Sequence, residues 1–354
     1  MAITKKTFGK SLDGKEVFLY ELSNASGASM KVTDFGAILV SVLVPDREGK
    51  LTDVVLGFDC AEGYHINNPH FGAPIGRNGN RIGGAAFTIN GVVYQLAKND
   101  NGENNLHSGP DFYRTRVWEV SELNEEENRI TFRLESPHMD QGFPGNLTVF
   151  VAYTLNNQNE LIMHYEGTAD ADTIVNMTNH SYFNLAGHNA GAEKMLNHVV
   201  QIHAEEYTPA DAQSIPTGEI APVKGTPMDF TSPKKIGQDV DADFDQLNFA
   251  GGYDHNYAMT REKGEMREAA VVRCEENGIT MKVITDLPGM QFYIGNFIQH
   301  EDGKEGCVYG KRSGFCMETQ YYPNSCNEEN FQTSLLKAGE TYNTTTVYAF
   351  SVNE

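Results

Sequence analysis

The chain has 354 residues, enough for about three quarters of its unfolded surface to be buried in a large core. Its 27 Lys and Arg stand against 48 Asp and Glu, a formal charge of −21 that repels nucleic acid and anionic membranes and disfavours a strongly anionic substrate. A neutral small molecule suits this field best.

The N-terminal residues include lysines without an apolar stretch behind them, so no signal peptide is expected. No window approaches the roughly 18 consecutive apolar residues of a membrane helix. The five cysteines are an odd number with no CxxC pair and no metal-ligand spacing, the pattern of reduced thiols in a cytoplasmic protein.

In chain order, strands are expected at 30–33 and 37–44, then as a hairpin of 87–89 and 92–96 about Asn90-Gly91. That dipeptide favours a type I′ turn because both positions accept positive φ. Strands follow at 117–120 and 130–134, and a second hairpin joins 147–155 to 161–166 around Asn156-Asn157. A β-branched run at 173–175 leads into Asn176-Met177-Thr178-Asn179-His180-Ser181-Tyr182-Phe183-Asn184-Leu185. A strand at 198–203 precedes a segment from Tyr207 to Asn256 that is rich in turn formers and reads as loop, a length often functional in compact domains. A third hairpin spans 270–274 and 279–283 about Asn277-Gly278, and strands close the chain at 291–297, 314–320 and 346–352. No amphipathic helix of convincing length is expected, and no linker, low-complexity tract or repeat divides the chain. The reading is all-β, one domain over 1–354, as a large antiparallel β-sandwich.

Several familiar chemistries are excluded by spacing. The acidic ladder 239–245 is not an EF-hand loop, because Phe244 and Ala250 stand where a Gly and a bidentate Glu are required. It reads as a solvated acidic loop. No HExxH, dinucleotide fingerprint, P-loop or GxSxG elbow is present.

What remains is acid–base chemistry near neutral pH, where histidine titrates. His180 closes its strand among amides, hydroxyls and aromatics. In 314–320, strand alternation puts Gly314, Cys316, Glu318 and Gln320 on one face and Phe315, Met317 and Thr319 on the other. Asn80-Arg81, His107 and Gly252-Tyr253-Asp254-His255-Asn256 add hydroxyl-gripping groups, with Tyr182, Phe183 and Phe292 as candidate apolar faces. Taken singly, each has an ordinary structural reading: a satisfied strand-end histidine, an exposed strand Glu, a salt-bridged Arg. Together they have the composition of a sugar site.

Gly76-Arg77-x-x-Asn80-Arg81-Ile82, Asn105-Leu106-His107, Asn179 to Leu185, Gly252 to Asn256 and Glu318-Thr319-Gln320, in that order, resemble the motifs of the aldose 1-epimerases, or galactose mutarotases, from about residue 15 to the C-terminus. The resemblance implies the galactose mutarotase-like supersandwich, no metal or organic cofactor, and interconversion of the α and β anomers of free galactose or glucose. It implies Glu318 as general base and His180 as general acid, with Asn80, Arg81, His107, Tyr182, Asp254 and Gln291 on the sugar. On that assignment the acid limb of the pH profile follows Glu318 and the alkaline limb His180. A hexose-6-phosphate 1-epimerase would want an extra basic cluster, a glycoside hydrolase a working carboxylate pair, and a non-catalytic sugar-binding module neither His180 nor Glu318.

Overall fold

A computed structural model describes residues 2–352. It is built from antiparallel strands, with two six-residue α-helices, Gly191–Leu196 and Asp245–Ala250, the second inside the loop-rich segment expected before Asn256. No described helix is long and apolar enough to cross a membrane.

Three sheets carry the architecture. The first five strands, Ala2–Lys10, Glu16–Ser23, Ser29–Thr33, Leu39–Pro45 and Leu51–Asp53, pair in sequence order. Nine strands form the largest sheet, in the order Glu119–Asn124, Arg129–Ser136, Leu147–Leu155, Glu160–Ala169, Thr341–Val352, Ile279–Thr285, Arg267–Arg273, Val199–Ile202 and Lys234–Lys235. A third, five-stranded sheet runs Ala221–Pro222, Glu206–Tyr207, Asp254–Ala258, Gly289–Tyr293 and Cys316–Gln320. The first two strands of the chain were absent from the sequence expectation. Ala2–Lys10 is a mostly exposed edge strand, so no buried face imposes an apolar alternation on it.

The expected hairpins form. Asn90 and Gly91 both take positive φ, 51° and 78°, between Ile89 and its partner Val92. Asn156 turns the second hairpin by accepting the amides of Gln158 and Glu160 on its side chain. The acidic ladder runs into the helix Asp245–Ala250 and alternates: Asp241, Asp243 and Asp245 are exposed while Val240, Ala242 and Phe244 turn to the core. Asp239 pairs with Lys234 and Asp241 with Arg312.

One apolar core draws on all three sheets. Ile130, Phe132, Val149, Val151, Tyr153, Met163, Met281 and Phe350 point inward from the nine-stranded sheet, where alternate residues are buried. Leu22, Met30 and Val32 come from the first sheet, and Tyr257, Met290, Phe292 and Met317 from the third. In the third sheet the register aligns two side-chain rows. Asp254, Tyr293 and Cys316 stand opposite one another, and so do Asn256, Gln291 and Glu318. Because side chains alternate across a sheet, these rows turn away from the face that carries Phe292 and Met317 into the core.

Candidate active site

The away-facing rows form one wall of a cavity of about 550 Å³. Two short ladders build the opposite wall. Thr178–Asn179 pairs with Pro74–Ile75 and hands the chain to His180, whose amide donates to Ala73 O (2.8 Å) and whose carbonyl accepts from Gly72 N (3.1 Å). Arg81–Ile82 pairs with Asn105–Leu106, which sets Asn80 and His107 side by side in left-handed conformations, φ 60° and 54°. Such backbone is uncommon for residues other than glycine and gathers at functional sites.

Asn80, Arg81, His107, His180, Tyr182, Asp254 and Glu318 all line this cavity. Gln291 stands one step back, its Nε2 donating to Asp254 Oδ1 at 2.7 Å. Phe183 and Phe292, expected as apolar faces, are instead fully buried in the core, because alternation turns each away from its cavity-lining neighbour, Tyr182 and Tyr293 respectively. The apolar surface comes from Tyr182, whose ring stacks on His180 at 5.1 Å, and from Tyr293, edge-on to both. His70, Tyr293 and the rim segment 297–301 were not among the expected site residues. The only sequence signal for His70 is its aromatic pair with Phe71 amid turn formers.

Glu318 is 2 % exposed, with Oε1 3.7 Å from His180 Nε2 and Oε2 without a hydrogen-bond partner. A buried polar atom without a partner costs about 1–3 kcal/mol unless water or a bound molecule reaches it, and Glu318 lines the cavity from which either can come. Burial pushes the Glu318 carboxyl well above the usual range, and the charge of Asp254 adds to this, while Arg81 opposes it. Asp254 is likewise raised by burial and held back by Arg81. Burial pulls His180 down to about 4. His107 is lowered well below its ordinary value, first by burial and then by His180 and Arg81.

Arg81 is anchored through Nε to Asp100 Oδ2 at 3.0 Å. His107 Nδ1 accepts the Asn80 amide (3.1 Å), so its proton is on Nε2. Behind His180, Cys316 Sγ approaches Nδ1 at 3.5 Å, and burial keeps that thiol protonated. His180, Cys316 and Glu318 bring ligand atoms within 4.8 Å of one another, a trio invisible in sequence spacing. The wall thus holds a carboxyl and an imidazole in reach of a common bound molecule, ringed by hydroxyl-binding groups and two aromatic faces.

Residues 19–349 match the family model described as aldose 1-epimerase, and the chain belongs to that family. It is 40 % identical over 353 residues to a galactose mutarotase of Sus scrofa, covering 99 % of each chain. To an aldose 1-epimerase of Escherichia coli K12 it is 35 % identical over 340 residues, 96 % of each. The crystal structure of a galactose 1-epimerase from Lactobacillus acidophilus superposes with a TM-score of 0.86 at 26 % identity, over the whole of both chains. The fold is therefore the galactose mutarotase-like all-β architecture.

Proposed function

We propose that this protein interconverts the α and β anomers of free hexoses, galactose and glucose among them, by opening the ring, turning the aldehyde and reclosing it. The observation that carries this reading is the Glu318–His180 pair: a buried carboxyl with an unpartnered oxygen, 3.7 Å from an imidazole, on the wall of a sugar-sized cavity. Relatives spanning the whole chain bear the corresponding names. We read residues 1–354 as one domain, since a single core joins the three sheets.

Ring opening requires O1 to lose a proton while O5 gains one. Glu318 as carboxylate takes the first, and His180 as imidazolium supplies the second. Each positioned acid or base contributes about 10² to 10⁴ in rate, or roughly 3–5 kcal/mol of barrier. Opening moves one proton from imidazole to carboxyl and so leaves both groups neutral. That is the state their burial favours, the carboxyl being raised and the imidazole lowered. The site is thereby more hospitable to the opened sugar than an exposed pair would be. On reclosure, Glu318 returns the proton to O1 on either face of C1 and His180 recovers one from O5. The proton count closes without a redox step or covalent intermediate.

Asn80, Arg81, His107 and Asp254 hold the hydroxyls while C1 turns, Tyr182 supports the apolar face, and Gln291 acts through Asp254. Polarimetry on freshly dissolved α-galactose and α-glucose tests the reading, with methyl α-galactoside and galactose 6-phosphate as controls. Rotation should relax faster than in buffer for the free sugars alone. Release of free sugar from the glycoside, or faster relaxation of the phosphate, would displace the proposal in favour of a hydrolase or a phosphate-specific epimerase.

A further inference from the structure

His70 lines the same cavity as His107 and His180, and the catalytic scheme leaves it unused. Its ring is 5.1 Å from that of His107 and 5.8 Å from that of His180, nearly parallel to the latter. The residue sits at φ 60° in a turn braced by Asn67, whose carbonyl accepts the His70 amide (3.0 Å) and whose Oδ1 accepts that of Phe71 (2.8 Å). A non-glycine residue kept at positive φ beside a cavity is strain that the surrounding structure must sustain.

Behind His70 lies Arg114. Its Nε donates to His70 Nδ1 at 3.0 Å, and its guanidinium lies 4.8 Å over the Phe112 ring, which also packs against His70. A guanidinium has donors only and does not lose its proton in proteins. Nδ1 must therefore present its lone pair, and the proton of the neutral ring is on Nε2. Among the described residues none accepts from Nε2, and the ring forms part of the cavity wall.

We infer that His70 is a sugar-binding residue, a fixed Nε2–H donor to one hexose hydroxyl, and that Arg114 is the positioning residue that locks it in this tautomer. Resting on the mutarotase reading above, this assigns the three imidazoles different duties. His180 exchanges protons, whereas His70 and His107 are held as donors from behind, one by a guanidinium and the other by a backbone amide. Burial, His107 and the Arg114 charge all resist protonation of His70, so it does not compete with His180 for the catalytic proton. Arg114 itself is buried with Nη1 unpartnered, and burial draws it down to about 10, still a cation at neutral pH.

The first test needs no variant to turn over. In ¹⁵N-histidine-labelled wild type, with the His70 signals assigned by their loss in His70→Gln, His70 should show a protonated Nε2 and an unprotonated Nδ1, and galactose should shift the Nε2 resonance. A protonated Nδ1, or a His70 signal indifferent to galactose while others move, overturns the inference. The second test is a cycle with galactose and its 2-, 3-, 4- and 6-deoxy analogues. His70→Leu should lower kcat/KM by about 3- to 10-fold, chiefly through KM, the worth of one neutral hydrogen bond. At one position deoxygenation should then cost nothing more. Arg114→Met should erase the penalty at the same position and mix the His70 tautomers, and Arg114→Lys should restore part of both. Penalties that stay additive at every position overturn the contact. A wild type that binds galactose yet does not mutarotate it breaks the earlier reading and leaves the tautomer and binding result to decide this one.

Discussion

Two arginines four residues apart, the buried Arg77 and the half-buried Arg81, stand in opposite conditions. Arg77 is fully buried, yet Nη1 donates to Pro144 O, Gly145 O and Thr173 Oγ1, and Nη2 to Ser136 O, Ser136 Oγ and Pro137 O, at 2.7–3.3 Å. Four residues on, Arg81 makes one side-chain ion pair and otherwise faces a cavity, across from a Glu318 whose Oε2 has no partner. Both places carry the cost of burying polar groups. At Arg77 that cost is offset within the protein, so the residue ties loops together. At Glu318 and its neighbours it is left open for a bound molecule to offset. What separates the structural arginine from the site is what the polar groups face: both terminal nitrogens of Arg77 are hydrogen-bonded within the protein and only Nε lacks a partner, whereas Arg81 and Glu318 line a cavity.

The largest effect should come from Glu318→Gln, which is nearly isosteric and cannot take the O1 proton. We expect kcat to fall about 10²- to 10⁴-fold, measured by polarimetry, with the fold intact. More than about a tenth of wild-type kcat would remove Glu318 as the base. Thermal stability should hold or rise. A carboxyl whose pKa is raised on folding contributes its full stability below its unfolded pKa of about 4.3 and loses it as pH rises through the folded value. Calorimetry should therefore show the gain of the Gln variant growing toward alkaline pH.

His180→Asn should lower kcat about 10²-fold or more with a smaller change in KM. A steep rise in KM at constant kcat would reduce His180 to a binding residue. Arg77→Met inverts the pattern. It strands several buried carbonyls, and urea unfolding should show a loss of about 4 kcal/mol, the upper end for single substitutions, while the folded fraction keeps kcat within about twofold. Equal losses of activity at full stability would erase the contrast drawn above. Asp254→Ala should cost about 10- to 100-fold in kcat/KM, divided between the two constants, since a hydrogen bond to a charged group is worth about 1.5–3 kcal/mol in ground and transition states alike.

The smallest effect lies in the pH profile. With Glu318 raised and His180 lowered to about 4, the pair of the free enzyme holds a single proton over the middle range, mostly on the carboxyl. The bell in kcat/KM therefore has its acid limb near pH 4, where His180 takes up the second proton, and its alkaline limb where Glu318 gives up the last, as macroscopic values of the pair. This reverses the order expected from ordinary pKa values. His180→Asn removes the need for the shared proton, so in background-corrected profiles both limbs of the bell should give way to a single rise in the residual activity as Glu318 ionises. An acid limb unchanged in that variant would assign it to another group, His107 first.

That His180 and Glu318 would share one cavity came from the family resemblance of their motifs; strand alternation alone only placed Glu318 on the face away from Met317, and His180 lies just past the strand Thr178–Asn179. The Asn90-Gly91 hairpin was legible locally, from the dipeptide itself. Gln291 was read as touching sugar but stands behind Asp254, and Phe183 and Phe292 went to the core. Alternation tells which residues share a face, not which face meets the cavity. His70 and the 297–301 rim escaped notice because their placement depends on turns and long-range packing, such as the contact to Arg114 across 44 positions of chain. Strand Ala2–Lys10, exposed at an edge, carries no apolar period to find.

The cross-strand alignment of Asn256, Gln291 and Glu318 has a consequence for how this site can be altered. Deleting or inserting one residue within Asp254–Ala258, Gly289–Tyr293 or Cys316–Gln320 exchanges the two faces from that point on, driving Glu318 toward the core and Met317 into the cavity. Changes of length here are frame errors for the chemistry, even where the sheet still closes. Variation in what the cavity accepts is confined to single replacements on these strands and to the loops at its mouth, where Phe297 is 62 % exposed and the chain is free to grow or shrink.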